Sequence, residues 1–196
     1  LKKKYLGITE YISEKFLINN NAMLIYNRKL SVCPITTHLP LKLVNKKLSK
    51  KVIKNKIQLI IRFYKTFLKS KPNIAVLGLN PHCESIDAFS EDDKIIKPAI
   101  KDLKMLGYRI SGPFPADTMF LKKNRTKFDV IVGMYHDQVL GPMKTLYGFK
   151  AINITIGLPF IRISPDHGPN IQMLGKNKSD PSSLLESLKF LKKYAR

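Results

Sequence analysis

A chain of 196 residues with 44% hydrophobic content is long enough to bury one substantial core. No stretch approaches the roughly 18 to 20 unbroken apolar residues of a membrane span, and the opening "LKKKYLGITEY" lacks the apolar centre of a signal peptide, so a cytoplasmic protein is expected. The charge of +21 would suit a polyanion, but only six of the 35 basic residues are arginine and no RNA- or DNA-recognition motif accompanies them, so nucleic acid is not the expected partner. Cys33 and Cys83 lie far apart without zinc-finger spacing and read as reduced thiols.

In chain order, Val44 to Leu68 carries apolar residues at Val44, Leu48, Val52, Ile57, Ile60 or Ile61, Tyr64 and Leu68 between lysines, the spacing of one amphipathic helix. "NIAVLGL" (73–79) is a continuous apolar run, as expected of a strand buried on both faces. A helix is predicted over Glu91 to Leu106, capped at Ser90, closed by Gly107, and kinked or restarted at Pro98. Tyr108 to Ser111 is a short strand candidate and "GPFPADT" a loop. Phe128 to Tyr135 is a strand, Ala151 to Ser164 is strand-like at both ends around a Gly-Leu-Pro break, and Ser182 to Tyr194 is an amphipathic helix. Strands alternating with helices predict an α/β layered fold with a largely parallel sheet, in which ligands gather beyond the carboxyl ends of the strands.

Three of the four histidines directly follow apolar runs: His38 in "SVCPITTHLPL", His82 in "IAVLGLNPH" and His136 in "VIVGMYHDQ". Each alone reads more readily as a residue that caps a strand or bonds a nearby carbonyl than as a ligand. If the runs are parallel strands, all three imidazoles arrive at one sheet edge and can form a three-histidine divalent-metal site with positions open for substrate oxygens. Zn²⁺, Mn²⁺ or Co²⁺ suits imidazole better than Mg²⁺. Asp137, Lys144, Asn153, Arg162 and Asp166 fall in or beside strand-end or loop segments, and Lys144 and Arg162 are candidates to hold a phosphate or carboxylate. His167, in the turn "SPDHGPN", reads as a supporting residue.

"TTHLPL", "GLNPH", "GPFPADTMF", "MYHDQ", "NITIGLPFIRISPDHG" and "MLGKNKSDPSSL" resemble, in that order, the signature segments of the 4-hydroxythreonine-4-phosphate dehydrogenase family of pyridoxal 5′-phosphate biosynthesis. The resemblance covers nearly the whole chain. It implies that His38, His82 and His136 hold the divalent metal and that Thr9, Lys144, Asn153 and Arg162 bind substrate, with Asp117 and Asp137 as further pocket residues. It further implies a three-layer α/β/α architecture like that of the isocitrate and isopropylmalate dehydrogenases, and a homodimer whose active site draws on both subunits. NAD, with NADP as the alternative, is the implied cofactor, and a small phosphorylated amino acid the implied substrate.

Two local departures stand out. The histidine of the family's "GHTE" segment is Ile8 here, and "NPHCESIDAFSEDD" lacks the "AGE" continuation usual after that histidine. The chain opens on Leu1 in the middle of what resembles the family sequence, so residues 1–196 are expected to be its C-terminal portion, with no internal domain boundary. A sister dehydrogenase acting on another phosphorylated hydroxy acid or a dihydrodiol, a non-catalytic remnant, and a polyanion binder are the alternatives.

Overall fold

The computed structural model describes residues 8–85, 89–168 and 171–194. After helix α1 (Ile8–Lys15), strands β1 (Ala22–Tyr26) and β2 (Ser31–Pro34) form a hairpin. There follow helices α2 (Val44–Lys47) and α3 (Lys50–Phe63), strand β3 (Ile74–Leu77), helix α4 (Lys97–Met105) and strand β4 (Ile110–Phe114). Two short helices, α5 (Ala116–Met119) and α6 (Lys122–Arg125), lead to β5 (Val130–Gly133) and α7 (His136–Tyr147). Strands β6 (Ile152–Ile156) and β7 (Arg162–Pro165) and helix α8 (Ser182–Tyr194) complete the described chain.

The seven strands form one sheet in the order β4-β3-β5-β2-β1-β6-β7. β4, β3, β5 and β2 run parallel, whereas β1 is antiparallel to both β2 and β6, and β7 is antiparallel to β6. One face is covered by α3, α4 and α8, which bury Ile53, Ile57, Ile60, Leu103 and Phe190 against Leu24, Val76, Val132 and Ile154. On the other face α7 packs Val139 and Met143 against Ile25, Val32, Leu77 and Ile131. Helices on both faces make the three-layer α/β/α arrangement. Each fully buried isoleucine or leucine contributes roughly 1.5–3 kcal/mol. Among the described residues no helix is long and apolar enough to cross a membrane.

Several elements differ from the sequence expectation for identifiable reasons. The predicted helix over Val44 to Leu68 is broken at Leu48, whose ψ is extended, and restarts where the Ser49 side chain accepts a hydrogen bond from the Val52 N–H at 3.2 Å. The break shifts the helical phase, so Ile53 is fully buried in the core while Val52 packs half-buried at its margin. Beyond Phe63 the same helix widens into a π-wound turn over Tyr64–Leu68. The Glu91 to Leu106 segment begins as expected, with Ser90 Oγ accepting from the Asp93 N–H at 3.3 Å, then runs as a π-wound turn (Asp92–Ile96) before α4 starts with Pro98 in its first turn. Ile96 and Lys97 keep helical backbone angles, so the helix is continuous and Pro98, which lacks an N–H, falls where the winding changes from π to α. Gly112 to Phe114 of the predicted "GPFPADT" loop extends β4, and Ala116 to Thr118 open α5.

Candidate functional site

β2, β5 and β3 are neighbours in the sheet and parallel, so the chain leaves all three at the same edge. His38 follows β2, His136 opens α7 directly after β5, and His82 lies beyond β3. The rings of His38 and His136 lie 5.8 Å apart between centroids. Together with Thr36, Leu39, Tyr135 and Asp137 they line a cavity of about 280 Å³. A second cavity, about 640 Å³, lies between α3 and the β6–β7 connection; it is lined by Leu59, Phe63, Ile156 and Pro159 and by none of the candidate donors. The chemistry favours the smaller one.

Three side-chain bridges hold this edge together. Thr36 Oγ1 donates to the Met134 carbonyl at 2.8 Å, tying the end of β2 to that of β5. Gln138 ties β5 to β3: its Oε1 accepts from the Met134 N–H at 2.6 Å and its Nε2 donates to the Gly78 carbonyl at 2.8 Å. Asp92, fully buried, accepts from the Leu79 N–H at 2.9 Å, and from the Asn80 N–H and Nδ2 at 3.1 and 3.0 Å, which fixes the turn leading into His82. The backbone is left-handed at His38 (φ 46°), His82 (φ 56°) and Cys83 (φ 61°). Such a conformation costs a side-chain-bearing residue roughly 1–2 kcal/mol, and it persists where surrounding contacts impose it, often at ligand sites.

Gly133 is required at the turn from β5 into α7. A Cβ there would stand 2.5 Å from Val139 Cγ1 and 2.9 Å from Gln138 Oε1. Gly133→Ala is therefore expected to lower stability by about 1–3 kcal/mol and to displace Gln138, which denaturant unfolding would measure.

His136 Nδ1 lies 2.6 Å from Asp137 Oδ1, which leaves Nε2 as the other ring nitrogen. A carboxylate holding one nitrogen while the other faces a metal is the usual arrangement of a metal-binding histidine. Two adjacent imidazoles, one already oriented by a carboxylate and a third on the next strand end, fit the donor preference of a divalent ion such as Zn²⁺ or Co²⁺. Among the described residues, however, no three His, Cys, Asp or Glu side chains stand close enough to hold an ion within one chain.

The predicted substrate residues lie on the face that carries α7. Asn153 pairs with Ser164, and Thr155 with Arg162, across the β6–β7 ladder, so the four side chains share one face. Arg162 Nη1 donates to Thr155 Oγ1 at 2.8 Å and to Thr9 Oγ1 at 3.4 Å, which joins α1 to β7. Asn153 Oδ1 is buried and has no hydrogen-bond partner among the described residues. A buried acceptor left in that state costs about 1–3 kcal/mol, so it invites a donor from a ligand.

Lys144 was expected in a strand-end or loop segment but sits in the last turn of α7. The sequence hides that helix because Gly141 and Pro142 interrupt it. His136 and Lys144 are eight residues apart on one helix, about 12 Å along its axis. Lys144 Nζ lies 2.8 Å from Asp166 Oδ2, also contacts the Asp166 carbonyl, and stands 5.4 Å from the Phe149 ring centre. His167 packs edge-on against the same Phe149 ring. Asp117 is exposed in α5, with Oδ1 accepting from the Thr118 N–H at 2.8 Å, and it does not join either group.

Asp166 is 7% exposed, and its N–H donates to Ser183 Oγ at 2.8 Å. Burial raises its carboxyl pKa above the ordinary value, and the Lys144 ammonium opposes that shift without cancelling it. In the folded state this group holds its proton longer than in the unfolded chain. Its contribution to stability is thus greatest below the unfolded pKa of about 3.9 and falls as pH rises toward the folded value. Measured by urea unfolding from pH 3.5 upward, the wild type is expected to lose stability relative to Asp166→Asn over that window.

With this geometry in place, the comparisons give the family. The model of the family described as "Pyridoxal phosphate biosynthetic protein PdxA" matches residues 2–191. The 4-hydroxythreonine-4-phosphate dehydrogenase of Sulfurihydrogenibium sp. (strain YO3AOP1) is 48% identical over 187 residues, 94% of this chain and 57% of the relative. A crystal structure of 4-hydroxythreonine-4-phosphate dehydrogenase from Klebsiella pneumoniae superposes with a TM-score of 0.83 at 34% identity, covering 100% of this chain and 60% of that one. The fold is also shared with a terephthalate 1,2-cis-dihydrodiol dehydrogenase from Burkholderia xenovorans LB400, at a TM-score of 0.75 and 23% identity over 95% of this chain and 60% of that one. The chain thus spans rather more than half the length of the relatives it matches. On the match over residues 2–191 and the identity to the Sulfurihydrogenibium enzyme, this chain belongs to the PdxA family of pyridoxal phosphate biosynthetic proteins.

Proposed function

We propose that this chain serves the NAD- and divalent-metal-dependent oxidation of 4-phosphooxy-L-threonine, followed by decarboxylation to 3-amino-2-oxopropyl phosphate, in vitamin B6 biosynthesis. The observation that carries the reading is the meeting of His38 and His136 at the ends of adjacent parallel strands, in a chain whose relatives bear that enzyme's name. His38, His82 and His136 would hold the ion. We read the active site as shared between two copies in a cytoplasmic homodimer; this reading accommodates His38 and His136 meeting without a third donor beside them among the described residues.

When bound, a divalent ion supplies a Lewis acid for the substrate's hydroxyl and carboxylate, and NAD supplies the hydride acceptor. The chain's own residues bind and orient. Arg162, held by Thr155 and Thr9, presents a planar fork suited to a phosphate or carboxylate. Asn153 offers a buried acceptor, which fits the substrate ammonium. Lys144 brings a second cation at the far end of α7, held in place by Asp166. Asp137 orients the His136 ring.

The test is NADH formation from 4-phosphooxy-L-threonine with and without added divalent metal. Metal-dependent NADH production is the expected result. Turnover of a different phosphorylated hydroxy acid in its place would move the reading to the sister activity, and no turnover with any such substrate would leave a non-catalytic role.

A further inference from the structure

At the sheet edge opposite the histidines, where β1 ends and β6 begins, a cavity of about 290 Å³ opens between the β1–β2 hairpin and α8. Its aromatic members form a cluster: Phe190 lies 5.1 Å from the Tyr26 ring, edge-on, and 4.6 Å from the Tyr194 ring. Around them stand five cations from three segments: Arg28 and Lys29 on the hairpin, Lys150 before β6, and Lys189 and Lys193 one turn apart on α8. Asn27 Nδ2 donates to the Lys150 carbonyl at 2.7 Å, which ties the hairpin to the segment before β6, and the Tyr26–Phe190 contact seats α8 on the hairpin.

A lysine-rich chain puts cations everywhere, so the deciding feature is their convergence on one concave, aromatic-lined cavity. On the α3–α4 surface some lysines have acids: Lys50 and Lys54 lie 3.0 and 2.6 Å from Asp102, and Lys97 lies 2.5 Å from Asp93. At the cavity the one acidic lining residue, Glu186, is taken by Lys189 at 2.7 Å. Among the described residues no carboxylate lies within ion-pair distance of Arg28, Lys29, Lys150 or Lys193, although Lys150 is near enough to Asp180 to join Ser182 in lowering its carboxyl pKa and Lys193 Nζ stands 4.9 Å from the Tyr194 ring centre. Like charges converging on a concave site repel one another until an anion joins them. The Tyr26 hydroxyl, hydrogen-bonded to Tyr194 and with its pKa pushed up to about 12 first by burial and then by Tyr194, stays protonated and adds no negative charge to the cavity.

We propose that this cavity is a binding site for a small aromatic phosphate, with the ring on the Tyr26, Phe190 and Tyr194 cluster and the phosphate among Arg28, Lys150 and Lys193. The volume, at the lower end of small-molecule sites, limits the ligand to about one ring and one phosphate. The site does not depend on the catalytic reading, since none of its residues belongs to the histidine edge or to the Arg162 group.

Calorimetric titration of the full chain with phenyl phosphate, at low salt, tests the proposal. One saturable site with a dissociation constant below about 1 mM is expected. Inorganic phosphate and phenol should each bind at least about tenfold more weakly, because each lacks half of the recognition. Arg28→Ala/Lys193→Ala should weaken phenyl phosphate by at least about tenfold, and Lys150→Glu, a single exposed change, should do the same with an unaltered circular dichroism spectrum. Arg162→Ala should leave this binding unchanged. The proposal is overturned by the absence of saturable binding, by inorganic phosphate binding equally well, by binding that survives both sets of cavity substitutions, or by binding that Arg162→Ala abolishes.

Discussion

Arg162→Ala is expected to weaken binding of 4-phosphooxy-L-threonine by about 100-fold, the scale on which truncating one partner of a hydrogen-bonded charge pair acts. Arg162 stands on β7 opposite Thr155, which is almost fully buried, and its guanidinium reaches both the Thr155 and Thr9 hydroxyls. Those contacts hold the fork before any ligand arrives, so binding costs little side-chain ordering. Arg162→Lys keeps the charge but loses the fork and both fixed hydrogen bonds, and should recover no more than about tenfold of the loss. Calorimetric affinities for the wild type and the two variants measure the effect. Equal affinities across the three would remove Arg162 from the substrate site.

The second large effect is expected at Asp92. Asp92→Ala leaves the Leu79 and Asn80 N–H groups without their acceptor, at about 1–3 kcal/mol each, so a stability loss of about 3 kcal/mol or more is expected from urea unfolding. The same substitution frees the turn that carries His82, and affinity for a divalent ion should fall by about 10- to 100-fold, the usual effect of losing a group that positions a ligand. Asp92→Asn keeps an acceptor oxygen and should lose less on both measures. If Asp92→Ala loses stability while metal affinity stays at the wild-type value, Asp92 supports the fold and has no part in placing His82.

Those two residues also show what could be read from the sequence. Arg162 interrupts the apolar "LPFIRIS" in a chain poor in arginine, and it does lie at a polar cluster. Asp92 belongs to the acidic run "SEDD", which reads as charge at a helix start; only the folded turn shows that one of its carboxylates faces inward beneath Leu79 and Asn80. β3 and β5 were legible because strands buried on both faces are continuous apolar runs. β1 was not, because the five residues "AMLIY" between Asn-rich and basic segments are too short for periodicity to separate strand from helix. α7 was hidden by Gly141 and Pro142, and the break in the Val44 to Leu68 segment by an apolar spacing that continues almost unbroken across Ser49. That β2, β3 and β5 end at one sheet edge followed from the apolar runs alone, whereas the bridges through Thr36, Gln138 and Asp92 depend on long-range contacts that spacing does not encode.

In the proposed metal site His38, His82 and His136 ligate one divalent ion. This ligation is tested most directly by titrating Co²⁺ into the wild type and into the three single His→Ala variants, following the ligand-field spectrum and metal stoichiometry, with circular dichroism to confirm folding. Saturable binding of about one ion per chain with imidazole ligation is expected, with its loss in each variant. Absence of binding by the wild type, or unchanged binding by His136→Ala, would contradict it.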